Sequence, residues 1–368
     1  MSPASPSSSI WGSPLAVSSE FTVTASTGSY SVRIGSGGLA TVLADADVVI
    51  VDGRLRGLVP GGDLPVIEMT ADEDAKTLAG CERVILQMRA VGVRRGDHVV
   101  AIGGGAVQDV ATFVADVYMR GLPWSYVPTT LMAMADSCIG GKSSINVGDV
   151  KNLVGGIYPP RSVVVDPLFL SSLGPSAMAA GFSEAAKIAF CRGGDEFDRY
   201  LELYASSDAE PERLIEHVLR AKKWFVEVDE HDRKERRLLN FGHTYGHALE
   251  TAVDHSIAHG LAVAFGVLCA CEHPAAARTP RTDALRAHCR ELLDQAPEVP
   301  AALARFDAER YEKAFRLDKK HGARVFHLIE PAAFGGVREV ETGNGPEDWA
   351  NVLEATQRVI DMVGRPVQ

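Results

Sequence analysis

Cysteine is scarce in this chain, with six in 368 residues and no CxxC pair. That spacing excludes a disulfide-dense scaffold and reads as the reduced thiols of a cytoplasmic protein. Positive charge is in deficit, with 37 Lys and Arg against 48 Asp and Glu and a net charge of −11. Non-specific nucleic-acid binding needs an extended basic surface, so that class is excluded. A local basic pocket for a small anion is not. Long hydrophobic runs are missing too. The longest apolar stretch, Leu261 to Cys271, is too short to cross a bilayer. The first twenty residues hold no Lys or Arg and are rich in Ser and Pro. They lack the basic start of a secretory signal, and residues 1–20 read as a loose tail.

What remains is the composition of a globular protein, 46% apolar and 23% charged. The length exceeds what one core usually fills, so two domains are expected. Phe21 to Ile34 alternates apolar and polar residues around Thr27-Gly28-Ser29, the pattern of a β-hairpin. Val48–Val51, His98–Ile102, Trp124–Val127 and Val163–Val165 read as short buried strands. Helical spacing runs from Asp74 to Val91 and through Ala111 to Met119. This alternation predicts an α/β domain with a Rossmann-like parallel sheet over residues 21–175. Beyond it, amphipathic stretches dominate: 177–191, 213–228, 244–253, 261–273, 282–293 and 349–363. Only 325–329 and 337–340 look extended. Residues 176–368 are therefore expected to form a mainly α-helical domain. Cys269 and Cys271 lie in one apolar helical run, where buried packing is the reading.

Three groups of residues could carry chemistry. Gly103-Gly104-Gly105 lies between a strand and a helix, where glycines admit a phosphate to the helix N-terminus. It is not GxGxxG, and a plain tight turn remains open. Asp52 ends an earlier strand, the place of a ribose-binding carboxylate in dinucleotide folds or of an ordinary turn residue. The second group is sharper. His243 and His247 stand four residues apart on one helical face, and His259 follows twelve residues later. Glu184 lies in an equally apolar setting. Two His and one Glu make a three-ligand zinc site with an open position. Ordinary histidines at helix ends are the alternative. The third group is a set of cations in glycine-rich or apolar surroundings, of which Lys142 in Ile139-Gly140-Gly141-Lys142 fits anion capture best.

These groups occur in a long ordered series. It runs from Gly103-Gly104-Gly105 and Asp109 through Tyr118-Met119-Arg120-Gly121, Val127-Pro128-Thr129-Thr130 and Asp136-Ser137-Cys138-Ile139-Gly140-Gly141-Lys142. It continues with Lys151-Asn152-Leu153-Val154-Gly155, Gly181-Phe182-Ser183-Glu184-Ala185-Ala186-Lys187, Asn240-Phe241-Gly242-His243, His247 and His259-Gly260. In order and spacing the series resembles the 3-dehydroquinate synthases and the wider sugar phosphate cyclase family, from about Asp52 to Lys320.

The resemblance implies an NAD-binding α/β domain followed by a helical metal-binding domain, a homodimer, bound NAD and one divalent metal, zinc or another such as cobalt. It implies Glu184, His243 and His259 as metal ligands. Asp52, Glu73, Lys76, Gly104, Gly105, Asp109, Thr129, Thr130 and Lys151 would contact NAD. His247, Lys187, Asp136 and Lys142 would act at the reacting groups. Arg120, Asn152, Lys222, Arg236, Asn240 and one of Lys319 or Lys320 would bind the sugar phosphate, with Arg120 reaching a partner subunit's site. The implied reaction converts 3-deoxy-arabino-heptulosonate 7-phosphate to 3-dehydroquinate and phosphate. It proceeds by transient oxidation, phosphate elimination, re-reduction and aldol closure, with no net redox change. Within the family Lys222 and Arg236 go with a substrate carboxylate, which disfavours sedoheptulose 7-phosphate.

Four departures bear on this. Gln108 stands for a family glycine, Asp72 for the glycine before Glu73, Ser183 and Ala185-Ala186 flank Glu184, and Leu261 replaces an acidic residue after His259-Gly260. They leave open a secondary-metabolic cyclase of amino-dehydroquinate synthase, 2-epi-5-epi-valiolone synthase or 2-deoxy-scyllo-inosose synthase type. A metal-dependent NAD alcohol dehydrogenase is the alternative of another class.

Overall fold

The computed structural model describes residues 16–148, 150–318 and 320–364. The chain divides into two compact units, Met1–Ser172 and Leu173–Gln368.

Unit one opens with a hairpin of β1 (Ala16–Ala25) and β2 (Gly28–Ser36), then α1 (Gly38–Ala44). β3 (Val48–Asp52), β4 (Val66–Met69), α2 (Leu78–Ala90), β5 (Val99–Gly103), α3 (Gly105–Val117) and β6 (Trp124–Pro128) follow. A short ladder, β7 (Ile145–Val147) with β8 (Val150–Val154), precedes β9 (Ser162–Val165). The main sheet has the order β1-β2-β9-β6-β5-β3-β4, and only the β1–β2 pair is antiparallel. β3, β5 and β6 are buried throughout, as strands covered on both faces must be. The β-branched runs of β3 and β5 carry no alternation for that reason. The chain moves outward from β3 to β4 and then returns to the other side of β3 as β5. The strand order therefore reverses between β3 and β5, the switch point where open α/β sheets bind ligands. Asp52 and the Gly103 turn end the two strands that flank it.

Two details differ from the sequence reading. The hairpin turns at Ser26-Thr27, because Ala25 pairs with Gly28, and β1 begins at Ala16. Residues 16–20 thus pair in the sheet, while 1–15 lie outside the described residues. Pairing with β2 orders a stretch whose composition alone looks unstructured.

Unit two contains α4 (Pro175–Arg192), α5 (Glu196–Tyr204), α6 (Pro211–Val228), α7 (His243–Ala252), α8 (His259–Glu272) and α9 (Pro280–Asp294). After them come α10 (Glu298–Leu303), α11 (Ala308–Arg316), the hairpin β10 (Val325–Pro331) with β11 (Val337–Gly343), and α12 (Pro346–Val363). Every residue of α8 from Gly260 to Glu272 is buried, Cys269 and Cys271 included. A helix apolar all round belongs in the centre of its domain, and α8 packs against α4, α7, α9 and α12.

Glycine sets how closely these helices approach. A Cβ at Gly266 of α8 would overlap the Gly242 carbonyl oxygen and come within 2.8 Å of the Gly246 nitrogen. One at Gly260 would overlap the backbone of Ala180 in α4. Among the described residues, no helix is long and apolar enough to cross a membrane.

Gly266→Ala is expected to force α7 and α8 apart, at a cost of about 3 kcal/mol from overpacking. Urea unfolding monitored by circular dichroism measures it. An unchanged midpoint would show that backbone contact does not set this spacing.

Candidate metal centre and nucleotide site

In unit two, four polar side chains meet inside an apolar helix bundle. α4 carries Glu184, α7 carries His243 and His247 one turn apart, and α8 begins at His259. Glu184 Oε1 lies 3.7 Å from His243 Nε2 and 3.4 Å from His259 Nε2. Its other oxygen, Oε2, is 2.5 Å from the Lys187 ammonium, one turn further along α4. Ring nitrogens of His243, His247 and His259 all fall within 4.8 Å of one another. The far nitrogens of two rings are also occupied. His243 Nδ1 faces the Phe241 carbonyl at 3.2 Å, and His259 Nδ1 faces Glu250 Oε2 at 3.5 Å. Both rings therefore turn Nε2 toward the same carboxylate oxygen. A carboxylate oxygen and two imidazole nitrogens converging in this way suit zinc or cobalt.

Neighbouring charges and burial compete in setting the protonation of these groups. Burial disfavours the Glu184 carboxylate, but Lys187 and His259 overcome it and bring its pKa down to about 2. Burial also disfavours the His259 cation, yet Glu184 and Glu250 raise its pKa to about 10. His243 is driven well below its usual value by burial and then by Lys187. Burial and the Lys320 ammonium take His247 down to about 4. Neutral imidazole is the form that coordinates a metal, so His243 is ready to bind one and His259 must release its proton to do so.

Buried cations accompany the cluster in unit two. Lys187, Lys222 and Arg236 are 2%, 5% and 4% exposed. Arg236 is held by its local turn. Asp229 closes α6 and accepts the backbone N–H groups of Arg233, Lys234 and Arg236, and the Arg236 guanidinium donates to the Glu230 carbonyl at 2.7 Å. Asn240 donates to the Arg237 carbonyl at 2.9 Å. Lys320 pairs with Asp318 at 2.9 Å. Lys319 lies outside the described residues.

Unit one gathers the second set. The Lys76 ammonium contacts Asp109 Oδ2 at 3.1 Å, Glu73 Oε1 at 3.2 Å and Asn152 Oδ1 at 2.9 Å. Ser144 N–H donates to Asp109 Oδ1 at 2.8 Å. Asn146, which sequence reasoning passed over, donates to Glu73 Oε1 and accepts from Asn152 N–H, each at 2.9 Å. Asn152, expected at the sugar phosphate, thus stands in the same network as Lys76, with a left-handed φ of 55°. Gly104 precedes α3 with no side-chain cap, and a Cβ there would crowd Thr130 at 3.1 Å. Nothing lies near a Cβ at Gly105, so that face of the turn is open. Thr129 N–H donates to the Gly103 carbonyl at 3.0 Å, joining the two turns. Asp52 ends β3 with both carboxylate oxygens bonded to the Arg54 guanidinium. Asp136 sits in a π-helical turn, Ala133–Ser137, and Lys142 in a short bridge to Ile157. Lys151 lies exposed on β8, and Arg120 lies exposed after α3, where Met119 and Arg120 both take left-handed backbone.

The four departures have local explanations. Gln108 is buried and bonds twice to Ser137, through its amide to the carbonyl at 2.7 Å and from the hydroxyl at 2.5 Å. Asp72 caps a short turn by accepting Ala75 N–H at 2.8 Å. Ser183 Oγ donates to the Ala179 carbonyl within α4, and Leu261 is fully buried in α8.

A parallel α/β unit, a helical unit with a carboxylate–imidazole cluster and a set of buried cations fit an NAD- and metal-dependent enzyme of an anionic substrate, and the relatives of the chain make the class a sugar phosphate cyclase, a lyase that eliminates phosphate. Comparison with known proteins agrees. Family models described as 3-dehydroquinate synthase N-terminal and C-terminal match residues 66–180 and 181–321. The chain is 39% identical over 259 residues to the 3-dehydroquinate synthase of Lactiplantibacillus plantarum, covering 67% of this chain and 72% of that one. The chain belongs to the 3-dehydroquinate synthase family. Its fold is also that of a 2-deoxy-scyllo-inosose synthase solved with carbaglucose-6-phosphate, NAD+ and Co2+, with TM-score 0.75, 22% identity and coverage of 92% and 99%. A 2-epi-5-epi-valiolone synthase from Streptomyces hygroscopicus subsp. jinggangensis, solved with NAD+ and Zn2+, gives TM-score 0.75, 24% identity and coverage of 89% and 97%.

Burial lifts Asp109 from its ordinary 3.8 to about 6 against the pull of Lys76, so its ionisation costs stability as pH rises through that value. Lys76→Met removes the counter-ion and enlarges that cost. We expect a penalty of about 3 kcal/mol at pH 8 and a smaller one at pH 5, where Asp109 is protonated and only the contacts to Glu73 and Asn152 are lost. Denaturant midpoints across that range measure it, and a pH-independent penalty would contradict the pairing.

Proposed function

We propose that this chain converts 3-deoxy-arabino-heptulosonate 7-phosphate to 3-dehydroquinate and inorganic phosphate, with NAD and one divalent metal bound. The observation that carries this reading is the convergence of Glu184 Oε1 with the Nε2 atoms of His243 and His259. Family membership supplies the reaction class.

Glu184, His243 and His259 would hold the metal. Asp52, Glu73, Lys76, Gly104, Gly105, Asp109, Thr129, Thr130 and Lys151 would hold NAD in residues 21–175, with residues 176–368 as the metal- and substrate-binding domain. The chemistry these groups supply is reversible hydride acceptance by the dinucleotide and Lewis acidity from the ion. Lys187, held 2.5 Å from Glu184 Oε2, keeps that carboxylate ionised and leaves Oε1 to face the rings. Lys222, Arg236 and Lys320, with Asn240 as a donor, would orient the carboxylate and phosphate of the substrate. The resemblance also assigns Asp136, Lys142, Asn152 and Arg120 to the substrate. His247, kept neutral by burial and Lys320, would stand near the phosphate and the proton transfers.

Lys222 and Arg236 support a carboxylated substrate over a neutral sugar phosphate. The four departures are absorbed by local packing and capping and remove none of the residues assigned to the metal. A homodimer, to which Arg120 would contribute across the interface, and a cytoplasmic location complete the proposal.

Purified protein loaded with zinc and NAD is expected to release one phosphate per dehydroquinate formed, with no accumulation of NADH. Steady NADH accumulation would indicate an alcohol dehydrogenase. No turnover, with metal and NAD shown bound, would move the assignment to another cyclase substrate.

A further inference from the structure

The arrangement around His259 points to a residue that neither the motif series nor the family comparison singles out. We propose that Glu250 is a positioning residue for the metal centre, holding His259 so that Nε2 is the coordinating atom. This rests on the metal reading above.

Glu250 follows His243 and His247 on α7 at the i+7 position, so all three share one helical face. Its side chain is 11% exposed, and Oε2 lies 3.5 Å from His259 Nδ1. The same ring turns Nε2 to Glu184 Oε1 at 3.4 Å. A carboxylate behind a metal-bound imidazole fixes the ring's tautomer and raises its basicity, and losing such a partner costs about 10–100-fold in metal affinity.

His259 needs this support more than His243 does. His243 has a fixed acceptor, the Phe241 carbonyl, two residues away in its own backbone. His259 is the first residue of α8, and the connection before it passes through Asp254 and His255, both left-handed with φ of 53° and 55°. No preceding helical turn braces it. The first turn of α8 also disfavours positive charge, so a carboxylate there offsets the helix dipole as well.

The test is the affinity for Zn2+ alone, measured by competition with a chromogenic chelator, for wild type, Glu250→Gln and Glu250→Leu. Glutamine keeps an acceptor for Nδ1–H and loses the charge, whereas leucine loses both. A graded loss is expected, smaller for glutamine and about 10–100-fold for leucine. The Co2+-loaded visible spectrum should shift in the same order. Unfolding midpoints of the metal-free proteins separate a general structural role, which would lower stability without grading affinity. If the leucine variant fails to fold, the near-isosteric glutamine variant decides. Wild-type binding with both variants within twofold of it overturns the role of Glu250 alone. A wild-type protein that takes up no metal overturns the metal reading and this inference together.

Discussion

A carboxylate that is 1% exposed stays charged only if its surroundings replace the water it has lost. Glu184 meets that condition through Lys187 on one oxygen and two imidazoles facing the other. Much of unit two follows from it. α4 must carry the acid and its lysine one turn apart, α7 must present two histidines on one face, and α8 must begin where a third can reach them. The glycines at 260 and 266 let α8 approach α4 and α7 closely enough for those side chains to meet.

Unit one solves a similar problem with a different geometry. Lys76 stands among two carboxylates and an amide drawn from the turn before α2, from α3 and from the small β7–β8 ladder. These contacts lie beside the switch point of the sheet, where Asp52 and the Gly103 turn end neighbouring strands. An uncapped α3 start with an open glycine face offers unpaired N–H groups to a phosphate. The buried cation serves a structural end, neutralising Asp109, at the same place where anion recognition is expected.

The departures from the family pattern show how substitution near a site can be absorbed. Gln108 exchanges a glycine's freedom for two hydrogen bonds to Ser137, next to Asp136. Leu261 replaces a polar residue but enters the packed interior of α8, where an apolar side chain is the better fit. Neither change takes away one of the three converging donors.

By itself the sequence determined the class of each half, because β-branched runs buried on both faces and long amphipathic stretches are local signals. It also determined the His243–His247 spacing, which a single helix converts into proximity. Other features were beyond it. The start of β1, Ala16–Glu20, reads as a tail, since only pairing with β2 orders it. Glu250 lies within an ordinary amphipathic stretch, and only the packing of α8 brings His259 beside it. Asn146 on Glu73 was likewise invisible. The physical reason is common to all three. Strand pairing, hydrogen bonds and ion pairs depend on distances across elements, and periodicity fixes only which face a residue occupies. Tertiary packing alone decided which of many acids and histidines share one small volume.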